Sequence, residues 1–226
     1  DAVHRPIDIV GGAVQLTISI GVAESGARGL AGEELLEQAM EALDAAKEKG
    51  RATAHRFDTR TAEGLIRRRR LSASLAEHVR AGRVVPYFQP EVDLRTGRVV
   101  GAEALARLLD PELGVVSAGD FIPLAERAGL AGVLTEQIVN EAIRLTASWD
   151  RGGRLPNGFR IRVNVDGRRF NQPGFVREVF GLLADAGLGS DRLCLELTET
   201  TLVADPDVAA RSIAELVAAG VTVELD

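Results

Sequence analysis

Ile161-Arg162-Val163-Asn164-Val165-Asp166 alternates without a break, aliphatic then polar. A period-two run of this kind is a strand with one buried face. The alternation recurs in Leu193-Cys194-Leu195-Glu196-Leu197-Thr198 and in Val221-Thr222-Val223-Glu224-Leu225-Asp226. In each, one face is purely aliphatic, and Asn164, Glu196 or Asp226 stands late on the other. Helical patterns separate the three runs, so the strands are expected to be parallel, with helices over the aliphatic face. Oxygen donors then collect at the carboxyl ends of the strands, where barrel enzymes hold their chemistry.

Upstream, Val99-Val100-Gly101-Ala102-Glu103-Ala104-Leu105-Ala106-Arg107 sets a carboxylate and a guanidinium four residues apart among small apolar residues. Both face the same way in a strand or in a helix. Their partners are a metal, an anionic ligand or simply each other, a structural Glu103–Arg107 pair. Propensity favours a helix from Ala102 to Leu109. However, Val84-Val85-Pro86-Tyr87-Phe88-Gln89-Pro90-Glu91-Val92 is a strand pattern and Arg95-Thr96-Gly97 a tight turn, which makes the stretch the return arm of an antiparallel hairpin. Pro86 and Pro90 limit where the first arm can pair. The expected strands are 84–92, 98–106, 161–165, 193–197 and 221–226. Helices are expected at 118–128, 131–149, 174–186 and 206–219, an alternation that reads as a (β/α) barrel or an open parallel sheet.

Composition narrows the function. With 46% hydrophobic and 27% charged residues over 226 positions, the chain is an ordinary globular sequence. No apolar run has the length of a membrane span. The lone Cys194 lies inside a strand, which excludes a disulfide framework and reads as core in a reducing, cytoplasmic setting. A net charge of −6 argues against a nucleic-acid polymer as partner, so phosphate recognition must rest on a few placed cations. Starting at Asp1 without Met and stopping at Asp226 inside a strand, the sequence is expected to be a window on a longer protein.

Residues 7–58 form a first unit. Val14, Leu16, Ile18, Ile20 and Val22 alternate as a half-buried strand after a Gly11-Gly12 turn. A helix follows from Glu33 to Lys49, acidic in its first turn and basic in its last, ended by Gly50; residues 52–58 return as a short strand. Leu16-Thr17-Ile18-Ser19-Ile20-Gly21-Val22-Ala23, Glu34-Leu35-Leu36 and Ala45-Ala46-Lys47-Glu48-Lys49-Gly50-Arg51 resemble the C-terminal third of a GGDEF diguanylate cyclase domain. The family pattern has Asp where Met40 stands and Tyr where Asp44 stands. The resemblance implies that Lys47 and Arg51 contact GTP phosphates; the plain alternative is a basic helix end opposing the dipole. Residues 59–82, with Leu71, Leu75 and Val79 on one stripe and the run Arg67-Arg68-Arg69-Arg70, read as a linker helix with a solvated charged face.

From residue 83 a second resemblance holds. Glu103-Ala104-Leu105 with Arg107, Phe121-Ile122-Pro123-Leu124-Ala125-Glu126, Val163-Asn164-Val165, Glu196-Leu197-Thr198-Glu199 and Leu225-Asp226 stand in the order and spacing of the EAL family. Those proteins are cyclic di-GMP phosphodiesterases built on a TIM barrel with an antiparallel first strand. The fold implied is therefore α/β throughout: part of a GGDEF domain in 1–58, a linker helix in 59–82 and the first part of an EAL barrel in 83–226. By resemblance, Glu103, Asn164, Glu196 and Asp226 are metal ligands, Arg107 touches a substrate phosphate and Gln89 lies on the substrate side. Glu103 and Glu199 are then the catalytic carboxylates, Glu199 by holding the loop after Asp226. Four oxygen donors without His or thiolate suit Mg2+ or Mn2+. Two such ions activate water and support in-line displacement at phosphorus, and Arg107 offers a planar fork to a phosphate oxygen.

The family has Ser where Asp166 stands, which adds a negative charge beside the expected metals. A further Asp, Lys and Glu that complete the family's site fall after Asp226. Three functions follow from the resemblance: hydrolysis of cyclic di-GMP to linear pGpG, sensing of cyclic di-GMP or GTP without turnover, or a bifunctional cyclase and phosphodiesterase. A homodimer through the EAL part or the linker helix is the expected assembly.

Overall fold

The computed structural model describes residues 7–9, 12–14, 16–25, 31–48, 52–198 and 205–225. The chain divides into two compact units, Asp1–Arg70 and Leu71–Asp226.

In the first unit, β1 (Ile7–Ile9) pairs antiparallel with β2 (Gly12–Val14), and β3 (Ile20–Val22) pairs parallel with β4 (Ala54–Arg56). α1 (Gly32–Glu48) carries Glu33 and Glu34 in its first turn and Lys47 in its last, each sign placed to favour the dipole. The helix lies so close to β3 that a Cβ at Gly21 would run into the Ala39 carbonyl and the Leu43 amide. The short strand expected in 52–58 forms as β4. The continuous half-buried strand expected from Val14 to Val22 does not: only Ile20–Val22 is paired in its second half, and Leu16 and Ile18 are exposed. Alternation specifies which side chains share a face but supplies no neighbouring strand. Gly11, Lys49, Gly50 and Arg51 lie outside the described residues.

α2 (Thr59–Arg80) runs unbroken across the division between the units. Leu71, Leu75 and Val79, four residues apart, are buried in the core of the second unit, so that unit begins inside the helix expected to link the two.

The second unit is built on a six-stranded sheet. β5 (Val84–Val92) and β6 (Val99–Asp110) form an antiparallel hairpin, and β8 (Arg160–Val165), β9 (Leu193–Leu197) and β10 (Thr222–Leu225) continue parallel to β6 in the order β10-β9-β8-β6-β5. Helix propensity in Ala102–Leu109 thus yields to the hairpin partner. A strand that the pattern does not announce, β7 (Gly114–Ser117), folds back on the end of β6. Its turn is held by Asp110, whose Oδ1 accepts from the Glu112 and Leu113 amides at 2.8 Å each, with Gly114 at φ +72°. Asp110 Oδ2 lies 2.9 Å from His78 Nε2, and Arg83 approaches His78 Nδ1 at 3.1 Å. Arg83 can only donate, so Nδ1 accepts and Nε2 donates to Asp110.

α3 (Ala118–Arg127), α4 (Ala131–Arg151), α6 (Phe175–Ala186) and α7 (Pro206–Ala218) match the four expected helices, and the four-residue α5 (Gly167–Phe170) is too short to show a period. Asp205 caps α7, its side chain accepting from the Val208 amide, with Pro206 at the start where its missing N–H costs nothing. Ala102, Ala104 and Leu108 of β6, Ile161, Val163 and Val165 of β8 and Leu193, Leu195 and Leu197 of β9 bury in one core with Phe121, Leu134, Ile143, Val179 and Leu216 from the helices. Each large side chain so buried contributes about 1.5–3 kcal/mol.

Candidate metal and phosphate site

With odd positions of β8 and β9 committed to the core, the even ones share the opposite face. Register then arranges them. Gln89 stands opposite Glu103, Glu103 opposite Arg162, Arg162 opposite Cys194 and Cys194 opposite Thr222. One step nearer the carboxyl ends, Asn164, Glu196 and Glu224 form a second row. Asn164 Nδ2 donates to Glu103 Oε1 at 2.9 Å across the two rows. Glu103, Asn164 and Glu196, far apart in sequence, therefore meet on three adjacent strands, with Gln89 beside them on β5.

Arg107 lies farther along β6 and donates from Nη1 to the Ala106 carbonyl at 2.8 Å. Among the described residues no ion pair joins it to Glu103, so the plain alternative of a structural Glu–Arg pair is not what the fold makes of this stretch. A groove of about 580 Å3 opens beside the middle of β6 and the carboxyl ends of β8 and β9, lined by Leu105, Ile122, Thr135, Asn164, Arg168 and Thr198 among others. Asp166 also lines it, but its carboxylate has structural employment: Oδ1 accepts from the Arg169 amide at 3.1 Å and caps α5. An anion at a helix N-terminus is favoured there, so Asp166 does locally what a Ser cap does, with charge added.

Glu199, Asp226 and Arg51 lie outside the described residues. Lys47 is exposed at the end of α1, with Nζ 3.8 Å from Asp44 Oδ1. Among the described residues no three His, Cys, Asp or Glu side chains converge on one point; the third donor beside Glu103 and Glu196 is an amide. Cys194 adds none, because burial pushes its thiol up to about 11 and keeps it protonated. Two carboxylates and an amide oxygen are a hard donor set, which fits Mg2+ or Mn2+ and not Zn2+.

The reading of the sequence passed over one residue. Arg162 sits in the middle of the first row and contacts Glu91, Glu196 and Glu224 from three strands. The signal was present: Arg162 shares parity with Asn164, and Glu224 with Thr222. Burial opposes its charge, but contact with Cys194 and the charges of Glu91 and Glu224 more than offset this and raise its pKa further.

Residues 72–226 match the EAL domain family. A protein of Sinorhizobium fredii, y4lL, is 32% identical over the whole chain, which covers 27% of that relative. The bifunctional diguanylate cyclase/cyclic di-GMP phosphodiesterase MucR of Pseudomonas aeruginosa is 30% identical over 99% of this chain and 32% of its own length. The chain thus spans about a third or less of these relatives. Among solved structures, the PaMucR phosphodiesterase in its c-di-GMP complex superposes with a TM-score of 0.64 and 32% identity, covering 70% of this chain and 63% of that one. With the family model matched over residues 72–226, the chain belongs to the EAL domain family.

Proposed function

We propose that residues 83–226 serve cyclic di-GMP hydrolysis, and that residues 1–58 belong to a GGDEF domain joined to them by the helix of 59–82. The observation that carries the first part is the meeting of Glu103, Asn164 and Glu196 on one face of the sheet, with Asn164 also lining a groove of about 580 Å3. In this reading the sheet belongs to a TIM-type barrel. Glu103, Asn164, Glu196 and Asp226 hold Mg2+ or Mn2+, two ions in all. When bound, such ions activate water and offset charge on a phosphoryl group. Arg107 presents its fork to a phosphate oxygen. Gln89, facing Glu103 across the hairpin, contacts the substrate, and Glu199 holds the loop after Asp226. Water adds to one phosphorus, a ribose oxygen leaves and takes up a proton, and linear pGpG results. Lys47 and Arg51 bind GTP phosphates at the GGDEF part, and the protein works as a homodimer in the cytoplasm. Among the described residues no helix is long and apolar enough to cross a membrane.

One observation favours the second reading, binding without turnover: a guanidinium already lies against Glu196. Incubating the full-length protein with cyclic di-GMP and Mn2+ and following pGpG by chromatography separates the two. Hydrolysis that stops in Glu103→Gln supports the enzyme; tight binding with cyclic di-GMP left intact supports the sensor.

A further inference from the structure

Glu196 and Glu224 stand directly opposite each other on adjacent strands. Like charges so placed repel, and partial burial sharpens the repulsion, since Glu196 is 16% and Glu224 43% exposed. The fold answers with Arg162, one row deeper on β8. Its Nη2 lies 3.0 Å from Glu224 Oε2, its Nε 3.1 Å from Glu196 Oε1, and its Nη1 donates to Glu91 of β5. One guanidinium thus spans three carboxylates from three strands, using the fixed fork that a lysine lacks. The contacts differ in kind. The approach of the buried Nε to Glu196 is one of charge without a directed hydrogen bond, so sharing Glu196 with a cation breaks no hydrogen bond to Arg162. One positive against three negative charges leaves the cluster at −2, the deficit that a divalent cation fills.

The geometry points to Arg162 as a positioning residue for the metal site. Its Nε holds Glu196 beside Asn164, and its other nitrogens pair with Glu91 and Glu224. A divalent cation is thereby taken up by Glu103, Asn164 and Glu196 and not by the opposed Glu196–Glu224 pair. This rests on the reading of Glu103, Asn164 and Glu196 as ligands given above.

The test is calorimetric titration of the metal-free, full-length protein with Mn2+, beside cyclic di-GMP kinetics, for Arg162→Lys and for the double variant R162M/E224Q. The first keeps the charge and loses the fork; the second keeps the cluster at −2 and has no guanidinium. Both are expected to bind Mn2+ about tenfold more weakly, as when a group that orients a ligand is lost, with KM for cyclic di-GMP unchanged and kcat recovered in excess Mn2+. Wild-type Mn2+ affinity in both, with only a lowered melting temperature, makes the cluster structural and overturns the inference. Tighter Mn2+ binding in either overturns it in the other sense, because the guanidinium then occupies the place of the ion. Should the double variant fail to fold, Arg162→Lys decides alone. A wild-type protein that binds no Mn2+ removes the ligand reading itself, whereas Mn2+ binding lost in Glu103→Gln but untouched in both Arg162 variants removes the role of Arg162 alone.

Discussion

The two units treat similar sequence patterns differently. In Leu71–Asp226 the alternating strands have helices laid across them, and Phe121, Ile161 and Leu195 are 0% exposed. In Asp1–Arg70 the alternation of Leu16, Ile18, Ile20 and Val22 is as regular, yet these side chains are 37–49% exposed, and the buried hydrophobics among the described residues there are Ala42 and Ala46. Periodicity tells which side chains face the same way. Whether they are buried depends on what is packed over them, and that is set elsewhere in the chain.

The largest effect should come from the packed side. Phe121→Ala opens a cavity in the core and is expected to cost about 3–5 kcal/mol, measured by urea unfolding of the full-length protein with a probe in the second unit. A loss well under that would mean the core is looser than its burial implies.

A medium effect is expected at Asp110. Burial pushes its carboxyl up, but the amides of Leu113 and Glu112 and the His78 ring outweigh this and hold it below the ordinary 3.8. Its proton is bound less tightly folded than unfolded. The stability it gives is therefore complete above that ordinary value and is lost as pH falls through the lower folded value. Asp110→Asn should cost about 1–3 kcal/mol at neutral pH and flatten the acid limb of the stability curve below pH 3.8. An unchanged acid limb would show that the turn is held by something else. Least of all should follow from Leu16→Ala, within about 0.5 kcal/mol; a loss as large as that of Phe121→Ala would show Leu16 to be covered in the full-length protein and erase the contrast between the units.

Much of the second unit was legible because its strands are short, regular and flanked by long helices. Parity alone brought Asn164 and Glu196 to one face, and the hairpin put Gln89 opposite Glu103. What escaped has physical causes. β7 has only Val115 and Val116 to announce it and is fixed by the Asp110 turn, a side-chain effect invisible to periodicity. Arg162 escaped because a single strand shows one charge, whereas its meaning lies in Glu91, Glu196 and Glu224, which only register brings within reach. In the first unit the alternation reads as burial, and among the described residues no paired strand lies beside Leu16 and Ile18 to provide it.

The central claim is that Glu196 is a ligand and not a structural carboxylate, and cyclic di-GMP hydrolysis followed across a Mn2+ titration tests it most directly. Glu196→Gln keeps the shape and replaces an anionic donor with a neutral amide, so its hydrolysis should fall by about 10–100-fold at low Mn2+ and recover in part as Mn2+ is raised. Wild-type hydrolysis in Glu196→Gln at every Mn2+ concentration, or a loss that Mn2+ leaves untouched, would contradict it.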